Sequence, residues 1–339
     1  MWLLVPAASA YETDQLTGRE LPLEDVSEVA NRWADELLAE AVLETNRLTR
    51  CSHGVNRTQR ELAQQIARAT ARPDYVEGRE LKGFGYVEYA ARLEEADIPR
   101  RTFVDRADIY ADLTPADSLV LGVAGVASTI RLGGELIGTD KVDHFFLLGY
   151  QYARVSRFGR DPEAAYRWGV ITEISLYGQL ASNVFSYADL AANAAGYDFY
   201  VGLLQQGSLF QLQGGCVVQS RPFDWEDWVT PAWDEVLNPS VPNVDVRRSV
   251  ERRLVDRREQ YCETYRQTSV ADAARRVEVI AARDRYVVGP APASDELMSL
   301  DWLCGPGSSA LDWAWSEPGL AEWMGEARAR LNGWRDRSL

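Results

Sequence analysis

The sequence predicts an all-α protein: a multi-helix bundle with a three-helix, polar-centred core and irregular, aromatic-rich loops. Three observations predict it. Apolar residues recur at helical spacing through segment after segment, as at Val26, Val29, Trp33, Leu37, Leu38, Ala41 and Leu48. Three consecutive segments, 140–156, 161–182 and 186–204, each set a few polar residues into a mostly apolar helix. Between about 206 and 240 the pattern breaks into glycine, proline and tryptophan, a loop texture.

In chain order, MWLLVPAASAYETD resembles the tail of a secretory signal: an apolar run, then Ala8-Ser9-Ala10 in the A-x-A pattern, then polar residues. Residues 1–10 are therefore expected to be a signal remnant and the chain to be periplasmic or secreted; a plain apolar N-terminus is the alternative. An N-terminal helical region is expected over 11–135, with helices at 23–49, 58–71 and 86–96. The second ends before Pro73, and the loop after it holds Lys82 but lacks the glycine series of a phosphate cradle. Thr114-Pro115 reads as an N-cap with proline at the first helical position, opening a buried helix over 115–132 that contains LVLGVAGVASTI.

The stretch GTDKVDHFFLLGYQY, at 138–152, concentrates rare residues. The chain has two lysines, Lys82 and Lys141, and two histidines, His53 and His144. On a helix from 140 to 156, Asp140, Lys141 and His144 share one arc, continued by Leu148, Tyr152 and Val155, while Asp143, Tyr150, Arg154 and Arg157 face away. His53, beside a glycine, reads as an exposed loop histidine. The next helix, opened by Asp161-Pro162-Glu163, is apolar on nearly every side, so its Glu173 is expected to be buried and to need a cation or a proton. Ser186 and Asp189 form a capping box for the third helix. There Asp189, Asn193, Gly196 and Tyr200 stack on one face; taken alone, Asn193 there reads as water-facing.

A C-terminal region, 207–339, is expected to pack with the rest as one domain, with charged helices at 243–265 and 269–284 and an amphipathic helix at 318–335. Its arginines alternate with acids at helical spacing, a solvated face. The net charge of −15 argues against nucleic acid as a partner, and no apolar run approaches the ~20 residues of a transmembrane helix. Cys51, Cys216, Cys262 and Cys304 form no C-x-x-C pair, so a zinc knuckle is not supported. In an exported chain an even count favours two disulfides, with three connectivities open; four free thiols are the reading otherwise.

The set DKVDHF, Glu173 and SYADLAANAAG resembles the VanZ-like family and its YfiM-type relatives among periplasmic lipoproteins, over about residues 136–205. Asp140, Lys141, His144, Phe145, Glu173, Ser186, Asp189, Leu190, Asn193 and Gly196 stand at the matching positions. VanZ-like members are commonly membrane-embedded, whereas this segment has charged outer faces and long polar flanks. The resemblance implies a helical core over 136–206, an envelope setting, and convergence of Asp189 and Asn193 on Lys141, His144 and Glu173.

The candidate site is thus Asp140, Lys141, His144, Glu173, Asp189 and Asn193. Two functions suit it. In the first, Lys141 pairs with Glu173 or Asp189 and Asp140 orients His144. The cluster then sets the register of three helices in an envelope interaction module, with a lipid, glycan or protein partner at the loops of 207–240. In the second, Asp140, His144, Glu173 and Asp189 hold a divalent metal or act as acid and base in hydrolysing an envelope lipid or glycan, with Lys141 stabilising the anion. Convergence of ligand atoms on an empty centre favours the second; Lys141 nitrogen at that centre favours the first.

Overall fold

The structure, a computed structural model, describes residues 12–70, 88–102, 107–118, 121, 126–175, 178, 182–292 and 303–304. It corrects the all-α expectation: the fold is mixed α and β. Helices dominate, but the described residues include six short strands, paired as three two-stranded antiparallel sheets. The signal segment, the Lys82 loop and the expected helix at 318–335 lie outside the described residues.

Helix α1 (Ser27–Thr49) packs on α2 (Val55–Thr70), as their apolar stripes require. Arg50 and Cys51 end α1 in the left-handed conformation, at φ 51° and 55°. His53, in this turn, approaches the Thr49 carbonyl through Nδ1 at 2.9 Å. A short α3 (Glu88–Glu95) follows.

The clearest departure falls at 115–132. The described part of this expected helix ends in strand β1 (Thr129–Leu132), which pairs with β2 (Glu135–Gly138). The turn between them is Gly133-Gly134, at φ +59° and +81°, a backbone that suits glycine and closes a two-residue hairpin. Thr129 and Ile130, β-branched, favour the extended chain.

Helix α4 runs as Asp140–Asp143, a π-helical turn His144–Leu148, and Gly149–Val155. The wider turn buries His144, Phe145 and Phe146 in succession. Asp143, expected to face water, is buried as well. Helix α5 (Pro162–Ser175) and helix α6 (Tyr187–Gly202) complete the central trio. Gly196 lets α6 close on α4: a Cβ there would sit 2.0 Å from the Phe145 carbonyl oxygen.

Beyond α6, β4 (Phe210–Gln213) and β5 (Cys216–Gln219) form a hairpin, and β3 (Val184–Phe185) pairs with β6 (Val241–Pro242). The charged helices are α7 (Val244–Asp256) and α8 (Arg258–Ala282). Two tryptophans of the aromatic loops turn inward rather than lining a surface. Trp225 and Trp233 are fully buried, and Phe145 meets Phe146, Trp225 and Phe199 with ring centroids 5.0, 5.1 and 5.3 Å apart. Trp225 Nε1 donates to Tyr89 Oη at 2.8 Å, so the indole's polar atom is satisfied in the core.

All four cysteines are paired, as Cys51–Cys216 and Cys262–Cys304. The first ties the α1–α2 turn to the β4–β5 hairpin across 165 residues; the second closes 42. No helix among the described residues is long and apolar enough to cross a membrane.

Candidate functional site

Lys141 lies in the first turn of α4, two residues past Thr139, where the chain leaves β2 for the interior. Gly138 makes the passage possible. A Cβ at that position would fall 1.9 Å from Thr13 Oγ1 and 2.1 Å from Asp140 Oδ1, the two atoms whose hydrogen bond of 2.9 Å holds the N-terminal segment against α4.

The Lys141 side chain has no exposed surface. Its Nζ stands 2.6 Å from Asp140 Oδ2, 2.6 Å from Glu235 Oε1 and 2.7 Å from Asp189 Oδ1. The first two contacts are hydrogen bonds; the third is an ion pair at an angle poor for one. Asp189 reaches this position from the first turn of α6. Its backbone N–H donates to Ser186 Oγ at 3.1 Å, the N-cap half of the expected capping box. The reciprocal half is absent, because the Asp189 carboxylate turns to Lys141 and His144 and the Ser186 N–H donates to Glu173 Oε1 at 3.0 Å.

His144 Nε2 is 3.1 Å from Asp189 Oδ2, and Nδ1 is 3.1 Å from Asn193 Oδ1. The Asn193 amide orientation follows from its Nδ2 donating to Tyr152 Oη at 3.4 Å. Both imidazole nitrogens therefore face acceptors, the pattern of an imidazolium. Burial disfavours that charge, but Asp189 outweighs burial and raises the His144 pKa to about 9. Burial likewise disfavours the Lys141 ammonium, and Asp140, Asp189, Glu235 and Glu12 hold it well above the ordinary lysine value. The Asp189 carboxylate, despite its burial, is held well below the usual range by His144 and Lys141.

The acids outnumber the cations. Asp140, Asp189, Glu235, Glu173 and Glu12 converge with Lys141 and His144, and all seven are buried. One ammonium cannot offset three carboxylates at contact distance, so burial raises Glu235 to about 8 even though its oxygen accepts from Lys141. Glu173 rises to about 8 through burial and the neighbouring Asp189. Near neutral pH, Glu235 and Glu173 therefore keep a proton beside the Lys141 ammonium, the His144 imidazolium and the Asp189 carboxylate.

Five of the six expected site residues, Asp140, Lys141, His144, Asp189 and Asn193, join in direct contacts; Glu173 joins through the Ser186 N–H. Of the two partners expected for Lys141, Glu173 or Asp189, it is Asp189 that pairs with it, and Glu235 joins as a partner not expected. One expected pairing is corrected: Asp189, rather than Asp140, orients His144. Asn193 is buried, against the water-facing reading of its helix taken alone. Sequence reasoning also missed Thr13 and Gln15. Gln15 accepts from the Glu235 N–H through Oε1 at 2.5 Å and donates through Nε2 to the Leu136 carbonyl at 3.2 Å.

Asp140, His144 and Asp189 are also a set whose potential ligand atoms lie within 4.8 Å of one another. The metal expectation for them fits this arrangement poorly. Lys141 Nζ takes the position a cation would hold between Asp140 and Asp189, and a doubly donating imidazole has no lone pair to offer. Glu173, the fourth expected ligand, is engaged by a backbone N–H. Comparison of the chain with protein-family models, curated proteins and solved structures finds no match.

Proposed function

We propose that this chain is an exported envelope protein of VanZ-like type, in which the Lys141 cluster is a structural centre and the protein acts as a binding or interaction module. One observation carries the reading: a fully buried ammonium contacts three carboxylates at 2.6–2.7 Å from α4, α6 and the 235 loop. Such a group ties distant segments to one register, and removing one member leaves uncompensated charge. The two disulfides support an oxidising compartment. A cleft of about 220 Å³ at the end of α6 supplies a surface for a partner, with Phe199, Leu203, Leu209 and Trp228 as its apolar wall and Gln206 and Arg221 at its edge.

The test is chelation. Protein stripped of metals, verified by elemental analysis, keeps its melting temperature, while His144→Ala and Asp189→Asn lower it. A stoichiometric divalent metal whose removal unfolds the protein refutes the structural reading and restores the metal-assisted hydrolase. Four free thiols in protein recovered from its native envelope fraction remove the export part.

A further inference from the structure

The cleft of about 220 Å³ opens where α6 runs into the loop before β4. Phe199, Leu203 and Leu209 in its wall are buried, and the half-buried indole of Trp228 crosses the Phe199 ring at 86°, with centroids 5.3 Å apart. A second ring contact, to Phe145 at 5.7 Å, fixes the indole to the core, so its remaining surface meets a ligand with little freedom left to lose. Two glycines keep the space open. Gly202 has an ordinary helical backbone and Gly207 a φ of +79°, and a Cβ on either would find no neighbouring atom within 4 Å. The turn requires glycine at 207. At 202 neither backbone nor packing requires it, and what the missing side chain preserves is the cleft.

The rim is polar and close to neutral. Among the described residues lining the cleft Arg221 alone carries a charge, and Asp227 pairs with it at 2.6 Å. Gln205 and Gln206 stand exposed beside it, and a primary amide both donates and accepts. Gln205 spends an N–H on the Val201 carbonyl at 3.3 Å, which leaves its oxygen to accept. Such a rim offers a phosphate or carboxylate no uncancelled cation, and an acyl chain would leave its amides without partners. Volume narrows the choice: sites for drug-sized ligands run to about 300–1,000 Å³, so this one takes a single ring. A ring with an apolar face for the indole and hydroxyls around its edge for the amides matches all three features.

We propose that this cleft binds one neutral pyranose unit of a glycan, with the sugar's C–H face against Trp228 and its hydroxyls at Gln205 and Gln206. The proposal rests on the binding-module reading and names its partner class. Helix α6 joins the two sites: Asp189 in its first turn pairs with Lys141, and its last turn walls the cleft.

Saturation-transfer NMR on the full chain tests it. The neutral probes are methyl glucopyranoside, methyl galactopyranoside and N-acetylglucosamine; glucuronate is the anionic ring, and glycerol is a hydroxylated compound without a ring. The expected result is transfer to the ring C–H protons of a neutral sugar, with a Kd of about 10 mM or tighter, and none to glycerol. Gly202→Leu fills the cleft from a helical position and should abolish the transfer without lowering the melting temperature. Gln206→Ala, at an exposed position, should weaken binding about fivefold, the loss expected of one neutral hydrogen bond, and it decides if Gly202→Leu fails to fold.

Tighter binding of glucuronate than of every neutral ring overturns the proposal by making Arg221 an anion site. A neutral ring bound equally well by both variants overturns it by placing the sugar elsewhere. No transfer to any sugar overturns it as well, and N-acetyl-tyrosinamide and dihexanoylphosphatidylcholine, as peptide and lipid probes, then judge the reading beneath. Binding of either that Gly202→Leu removes keeps the interaction module with a different partner. A chain that binds none of the probes loses the cleft as a binding surface along with the sugar.

Discussion

Replacing Lys141 with methionine keeps an unbranched stem one atom shorter and removes the charged nitrogen. Asp140, Asp189 and Glu235, each within 2.7 Å of the lost nitrogen, would then face one another across a dry space. Breaking a buried ion pair by removing one partner costs about 3–5 kcal/mol, mostly the penalty of the stranded charge. At about 2.1 cal/mol/K per residue, a 339-residue chain unfolding as one unit has an entropy of about 0.7 kcal/mol/K, so the melting temperature should fall by about 4–7 °C. The deficit should also depend on pH. With the ammonium gone the carboxylates repel and take up protons more readily, so acidification relieves the variant. Thermal melts by circular dichroism at pH 5 and pH 7.5 read both effects. The gap between natural protein and Lys141→Met should be widest at pH 7.5 and narrow at pH 5. A gap below ~1 °C at pH 7.5, or one that widens on acidification, refutes the reasoning.

Three further outcomes are expected. His144 has a folded-state pKa of about 9 against its ordinary 6.5, so it contributes stability fully below pH 6.5 that is lost as pH rises through 9. Glu173 and Glu235, at about 8 against 4.5, retain protons in the folded state and act in the same direction from pH 4.5 to 8. The melting temperature should therefore fall between pH 6.5 and 9, and His144→Ala should flatten that slope; a rising profile contradicts the site's electrostatics. Gly138→Ala forces Thr13 and Asp140 apart and should cost about 1–3 kcal/mol in chemical denaturation; an unchanged denaturation midpoint would show that the N-terminal segment is not clamped there. Non-reducing peptide mapping should recover Cys51–Cys216 and Cys262–Cys304, and Cys51→Ser with Cys216→Ser should cost about 2–5 kcal/mol, as expected for a bridge across 165 residues; any other connectivity contradicts the fold.

The central helices were legible because their signals are local. Helical period, the Ser186 cap, and the rarity of lysine and histidine located α4, α5 and α6 and five directly joined members of the cluster. A lone carboxylate in an apolar helix was enough to place Glu173 inside. The partners from elsewhere were not legible: Lys141 and Glu235 are 94 residues apart, and Thr13 and Asp140 are 127 apart, so no local period reports the contact. Glu235 sits in a tryptophan-rich stretch whose composition resembles a surface loop, although Trp233 beside it is fully buried. The first hairpin had a usable signal in TIRLGGELIG, a glycine pair between β-branched and leucine residues. The preceding alanine- and glycine-rich run carried the helical reading through it.

The most direct measurement is ¹⁵N NMR of lysine-labelled, metal-free protein, where the two lysines yield two side-chain signals assigned by Lys141→Met. The account predicts that the Lys141 Nζ signal is a protonated ammonium at neutral pH, with hydrogens exchanging far more slowly than those of a freely solvated lysine. Free-lysine exchange at Lys141 in a folded, metal-free sample would contradict a buried ammonium at the centre of the fold.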